Sequence, residues 1–330
     1  MKTQKILHSL VVPMALGLLS ITGVSARAAD YHFLKEIPIG GAGGFDYLSV
    51  DPDGRRLYVS HGTKAVVIDI DNDAIVGEIA DTPGIHGIAI APEIGRVFTS
   101  NGREARAGIV DIKTLQTLSK VETGQNPDAI LYDPGQQEVY TFNGRASSAT
   151  VIDAKTGKVV ATIPLGGKPE FATVDPATGH IFNNLENKSE VTVIDTKTHQ
   201  VINTWPIAPG EEPSGMAIDV PHHRIFVGCG GGEKQVMEMI DNTNGKVLAT
   251  VPIDDGVDAN AFDPGTQLAF ASCGSGTVTI AHEDSPDKLT VVQKLTTQRG
   301  ARTMALDPKT NRIYLSVGSG DSFKVLVYGM

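Results

Sequence analysis

Asp46, His86, Asp128, Glu170, Ser214, Asp258 and Arg302 recur at intervals of 40 to 44 residues, and six of the seven are ionisable. If a repeated structural unit sets them side by side, four carboxylates, an imidazole and a guanidinium share one small volume. Carboxylates beside an imidazole are the groups of acid–base catalysis and of divalent-cation ligation, and a guanidinium is an anion clamp. A second column at similar intervals reads His61, Asn101, Asn143, Leu185, Cys229, Cys273 and Val317. His86, His61 and Arg302 are therefore the catalytic candidates. Asp46, His86, Asp128, Glu170, Asp258, Arg302, Asn101 and Asn143 are the candidates for ligand binding.

Charge arithmetic within the first column singles out one pair. Asp46 and Asp258 flank Arg302, and Asp46 also neighbours His86, whereas Asp128 and Glu170 adjoin each other. Two neighbouring carboxylates repel, so one holds a proton or a cation lies between them. With Asn101 and Asn143 as neutral oxygens, this set suits Ca²⁺ or Mg²⁺ better than a softer metal. The bland alternative is a solvated rim whose ion pairs hold the units together.

The units that must position these residues are visible as a ladder. Asp-Pro pairs end short apolar runs at Asp51, Asp133, Asp175, Asp263 and Asp307, with degenerate copies at Ala91-Pro92 and at Asp219 with Pro221. That makes seven copies of one unit. The third is representative: Asp128–Asp133, Glu138–Phe142, Ala149–Asp153 and Val159–Pro164 read as strands separated by Pro-Gly and Thr-Gly turns. No sustained helical periodicity interrupts them. Four strands per unit at this period describe an all-β, seven-bladed β-propeller. The last unit supplies three strands, and Tyr31–Gly40 carries the fourth-strand pattern, so the N-terminal strand is expected to close the last blade.

Short motifs on these strands resemble the YVTN-repeat β-propeller family of YncE-like periplasmic proteins. On the second strand they are Tyr58-Val-Ser-His61, Phe98-Thr-Ser-Asn101, Tyr140-Thr-Phe-Asn143 and Tyr314-Leu-Ser-Val317. On the third strand they are Val67-Ile-Asp69, Val151-Ile-Asp153 and Val193-Ile-Asp195, and Thr156–Pro164 gives the fourth-strand signature. The resemblance implies the propeller fold over the whole chain after the leader. It implies little about function, because these motifs build blades, and propellers host lyases, lactonases, redox enzymes and binding scaffolds alike.

Residues 1–28 read as a secretory signal: Lys2 and Lys5, an apolar run from Ile6 to about Gly23, then Ala26-Arg27-Ala28 as a cleavage site. Residues 29–330 then form a single exported domain, expected in the periplasm, with no membrane span. Twenty-eight Lys and Arg face 38 Asp and Glu, a net charge of −10, and loss of the leader's three cations deepens it. That surface argues against nucleic acid. Cys229 and Cys273 occupy matching positions on neighbouring blades, too far apart for easy bridging, and are expected as two packed thiols. His222-His223 reads as an exposed turn at the end opposite the rim. Serine-hydrolase, zincin, phosphate-loop and covalent-haem motifs are absent from the sequence. Two functions remain: a scaffold binding a small-molecule or protein ligand at the channel mouth, or a metal-assisted hydrolase or lyase of the lactonase-like kind.

Overall fold

Each Asp-Pro anchor does the same physical work. The aspartate ends an inner strand, is buried, and turns its carboxylate onto the backbone of the next turn. Asp51 Oδ1 accepts from the N–H groups of Asp53 and Gly54, Asp133 from Gly135, Asp263 from Gly265 and Asp307 from Lys309. Proline fixes φ at the following position, so the pair launches a tight turn into the second strand. The Val-Ile-Asp signature repeats the device further out, as Asp69, Asp153 and Asp195 each accept two turn N–H groups.

The computed structural model describes residues 29–330, and the secretory-signal reading of residues 1–28 lies outside them. Seven four-stranded antiparallel sheets stand in a ring. Their inner strands are Leu48–Asp51, Ile85–Ala91, Pro127–Asp133, Pro169–Asp175, Pro213–Asp219, Val257–Asp263 and Met304–Asp307, in blades 1 to 7. The ring closes as the ladder requires. In blade 7 the outermost strand is His32–Pro38, paired antiparallel to Lys324–Gly329 with His32 opposite Gly329 and Pro38 opposite Lys324. Among the described residues, no helix is long and apolar enough to cross a membrane.

The core is not central but distributed between blades, in seven apolar clusters, one at each blade–blade seam. The aromatic of the second strand explains why the repeat keeps it. Tyr58, Phe98, Tyr140, Phe182, Phe226, Phe270 and Tyr314 occupy the same place in every blade, and all are fully buried. Each such wedge contributes ~2 kcal/mol or more of apolar burial. The outer strands carry a bulge in every blade, at Val67/Ile68 in blade 1, Met239/Ile240 in blade 5 and Phe33/Lys35 in blade 7 for example. Bulges twist an outer edge away from pairing with another chain. Cys229 and Cys273 are separate and buried, each thiol against a carbonyl of its own strand.

Candidate functional site

Inner strands run outward from one mouth of the channel, and the seven column residues stand at that mouth. In blades 2 to 6 the pairing register shifts there: between Ile85 and Ile88, Pro127 and Ile130, Pro169 and Ala172, Pro213 and Met216, and Val257 and Ala259. His86, Asp128, Glu170, Ser214 and Asp258 therefore sit on β-bulges, which re-aim side chains that a regular strand would lay against a neighbouring blade. In blades 1 and 7, Asp46 and Arg302 precede the regular strand.

Second-strand polar side chains fix the backbone of this column. Ser60 Oγ accepts from the N–H of Asp46 at 2.8 Å, Ser100 Oγ from Gly87 at 2.8 Å, and Asn184 Nδ2 donates to the carbonyl of Ser214 at 2.7 Å. A belt of glycine contacts holds the loops above. The N–H of Gly62 donates to Gly44, that of Gly84 to Gly62, and that of Gly102 to Gly84. Gly43 and Gly62 approach so closely that a Cβ on Gly43 would lie 2.9 Å from the Gly62 Cα, and both have positive φ, so glycine is required at both.

The side chains converge as one network. His86 Nδ1 lies 2.6 Å from Asp46 Oδ2 and 3.4 Å from Asp128 Oδ1. Arg302 reaches Asp258 through Nε at 2.5 Å and Asp46 through Nη2 at 3.7 Å. Ser214 donates to Asp258 at 3.1 Å. Glu170 has a partner that the seven-residue column does not contain: Lys168 Nζ, at 2.6 Å. Each carboxylate of the pair singled out by charge arithmetic thus has a cationic or potentially cationic neighbour of its own.

Burial and like charge set the proton affinities. Burial opposes a charged imidazole at His86, but the Asp46 bond and the charges of Asp128, Asp46 and Glu170 outweigh it, and its pKa rises. Burial lifts Asp128 to about 6, with His86 pulling the other way and Asp46 adding to the rise. Burial and Asp128 also push Glu170 up against the pull of Lys168. Burial and Asp46 raise Asp258 despite Arg302. At neutral pH the mouth therefore gathers carboxyl groups that hold protons unusually well, around a histidine that does the same.

Three column candidates lie elsewhere. Asn143 is buried and spends its amide on Ser148, Thr150 and Thr141 inside its own blade. Asn101 is likewise buried and donates to Glu104 at 2.9 Å. His61 lies beneath Gly41 and Gly43, its ring stacked on Phe323 with centroids 4.2 Å apart. Its nitrogens make no hydrogen bond of good geometry, and burial depresses its pKa, so it is a neutral packed ring. Neither asparagine lines the mouth.

Tyr47 was not among the candidates, and it reaches across the ring to Phe171. Next to the polar column runs a second: Tyr47, Gly87, Ala129, Phe171, Gly215, Ala259 and Thr303. Five are small, and the two aromatics meet across the ring. The Tyr47 phenol is held well above its ordinary pKa by burial and by Asp258, Asp46, Asp128 and Glu170, so it stays protonated beneath the carboxylates. At the mouth, over blades 1 to 3, opens a cavity of about 500 Å³. Arg103, Arg145 and Arg302 line it with Asn126, Asp46 and His86. Arg103 and Arg145 are exposed and form no ion pair among the described residues.

No family model matches this sequence, and no curated protein matches it. Among solved structures, the chain is similar to one titled hydrazine synthase, from Kuenenia stuttgartiensis. The TM-score is 0.77 at 19% identity, over 86% of this chain and 95% of that one. At that identity the likeness supports the seven-bladed propeller fold and carries nothing about the site.

Proposed function

We propose that this chain is an exported, periplasmic propeller of the YVTN-repeat type that binds a small anionic molecule at the channel mouth. The observation that carries the reading is the 500 Å³ cavity in which Arg103 and Arg145, neither ion-paired, converge with Arg302 above the Asp46–His86 pair. Guanidinium forks match carboxylate and phosphate oxygens two at a time, and an unpaired fork at a concave site is available for such a ligand. Arg302 is held in place by Asp258, and His86 by Asp46, so both are oriented before a ligand arrives. Export rests on the leader-like residues 1–28, and N-terminal sequencing of the secreted protein should begin at Ala29. The binding test is calorimetry with citrate, succinate and inorganic phosphate. At least one should bind saturably, and the double variant Arg103→Ala/Arg145→Ala should weaken it at least tenfold. Unchanged affinity in that variant, or no binding of any probe, ends the anion reading.

A second reading, a metal-assisted hydrolase or lyase, is favoured by one observation. Asp46, His86 and Asp128 each offer one ligand atom, all within 4.8 Å of one another. A Ca²⁺ or Mg²⁺ ion held by Asp128 and Asp46, with Glu170 as a further carboxylate of the mouth, would activate water, His86 would move the proton, and Arg302 would face the developing negative charge. Millimolar calcium or magnesium should then raise the melting temperature, and Asp128→Asn should abolish the shift. No shift at any pH from 6 to 8 removes this reading and leaves the anion site standing.

A further inference from the structure

At the end of the ring opposite the mouth, the repeat is broken twice at one point, the seam between blades 5 and 6. The anchor of blade 5 reads Asp219-Val-Pro221 where five other blades read Asp-Pro, and the turn changes with it. Asp51, Asp133, Asp175, Asp263 and Asp307 all accept backbone N–H groups from their turns. Asp219 accepts none; its Oδ2 is taken by His222 Nδ1 at 2.5 Å. The second break comes from blade 6. Glu283 donates its N–H to the carbonyl of Gln267, just before the second strand. The residues making the same bond in blades 1 to 5 are Ile70, Ile112, Ala154, Thr196 and Asn242. Only in blade 6 does an acid fill this place.

The two departures face each other across the seam between blades 5 and 6. Asp219 is 1% exposed and Glu283 6%, and each keeps one carboxylate oxygen buried with no hydrogen-bond donor among the described residues: Oδ1 of Asp219 and Oε2 of Glu283. Asp219, His222 and Glu283 each offer one ligand atom, and all three lie within 4.8 Å of one another. The His222 side chain is 52% exposed, so the cluster is open on its solvent side. Arg224 is the other charged group nearby, and it is engaged with the carbonyls of Pro286 and His223.

We propose that Asp219, His222 and Glu283 form a divalent transition-metal site, with Zn²⁺ the preferred ion, that staples blade 5 to blade 6. Two carboxylates and one imidazole neutralise the ion and give a mixed oxygen–nitrogen set, which zinc, nickel and cobalt accept and for which calcium and magnesium have little use. Three protein ligands with an open solvent side leave the fourth position of a tetrahedron to water. The ion would take the place of the proton that these two adjacent buried carboxyls otherwise share. His222 is the latch: it alone reaches the seam from solvent, so it sets access and affinity. This site is independent of the channel mouth, and neither reading there affects it.

The test is titration of the chelator-treated protein with ZnCl₂ alone, followed by calorimetry and melting temperature, with Co²⁺ absorption as a second readout. We expect a zinc site that raises the melting temperature and, with cobalt, gives visible bands from a nitrogen–oxygen environment. His222→Ala, at a half-exposed ring, should fold normally and lose at least tenfold in that affinity; Glu283→Gln should do the same. His86→Ala at the mouth should leave the site intact. Equal zinc affinity in His222→Ala and the parent, loss of the site in His86→Ala alone, or no saturable binding would each overturn the proposal. In the last case the two carboxyls share a proton.

Discussion

Tyr47 and Phe171 meet edge-on across the channel, ring centroids 5.2 Å apart, joining blade 1 to blade 4 where every other residue at that level is small. The contact lies beside the polar column, since Tyr47 follows Asp46 and Phe171 follows Glu170. Tyr47 is 5% exposed, so Tyr47→Ala should cost about 3 kcal/mol in denaturant unfolding. A double cycle with Phe171→Ala should give a coupling near ~1 kcal/mol for the aromatic pair. Additive losses would mean that the rings merely coexist.

Closure of blade 7 by its first-in-sequence strand predicts a large effect from a small deletion. A chain beginning at Gly41 loses the ladder against Lys324–Gly329 and the burial of Tyr31 and Ile37, which are 2% and 3% exposed. Two such side chains and an edge strand amount to ~5 kcal/mol, or roughly 10 °C or more in melting temperature for a domain of this size. A truncated protein that melts with the full one would contradict the ring closure.

The ring, its blade count and its closing strand are legible in the sequence because each rests on local chemistry repeated seven times: an aspartate that needs turn N–H groups, an aromatic wedge, a Thr-Gly turn. The polar column is legible for the same reason. What lies between repeats is not. Tyr47 and Phe171 are far apart in sequence, and only a comparison of their column across all seven blades marks them. Asn101 and Asn143 fail as mouth residues because adjacent strand residues face opposite ways. Ser100 turns toward the Asp128 backbone of the next blade, so Asn101 turns away from it. Lys168 stands two residues before Glu170, outside the fixed interval. His222 reads as solvent-exposed turn, and half of its ring is, but Nδ1 reaches a buried carboxylate that a degenerate anchor has left without backbone donors.

Both cysteines should be chemically silent in the native protein. Cys229 and Cys273 are completely buried, burial pushes the Cys273 thiol up to about 12, and burial with the nearby Glu238 charge pushes Cys229 higher still. Native protein should take up no thiol reagent at pH 8, and unreduced protein in denaturant should take up two equivalents. No uptake at all in denaturant would reveal an oxidised pair.

Glu238 should make the protein less stable as pH rises. It sits on the third strand of blade 5, where the matching residues of blades 1 to 4 are Val66, Gly108, Thr150 and Thr192. Its side chain is 0% exposed; Oε1 accepts the Gly210 N–H at 2.8 Å, and Oε2 has no partner. Burial raises its pKa from 4.5 to about 7, with the Gly210 N–H pulling the other way. Below pH 4.5 the folded and unfolded chains both hold the proton and no penalty exists. Between 4.5 and 7 the unfolded chain releases it and the folded chain does not, so stability falls across that window, by about 3 kcal/mol for a shift of this size. Glu170 and Glu283 titrate under similar strain, so the decisive quantity is the difference between Glu238→Gln and the parent rather than the parent's own curve. The amide keeps an acceptor for Gly210 and carries no charge at any pH. Denaturant unfolding should find the variant close to the parent at pH 4.5 and more stable by a few kcal/mol at pH 8. A gap that stays constant with pH, or that favours the parent at pH 8, would mean that Glu238 is ionised in the folded chain at neutral pH, with a cation or a water chain reaching Oε2.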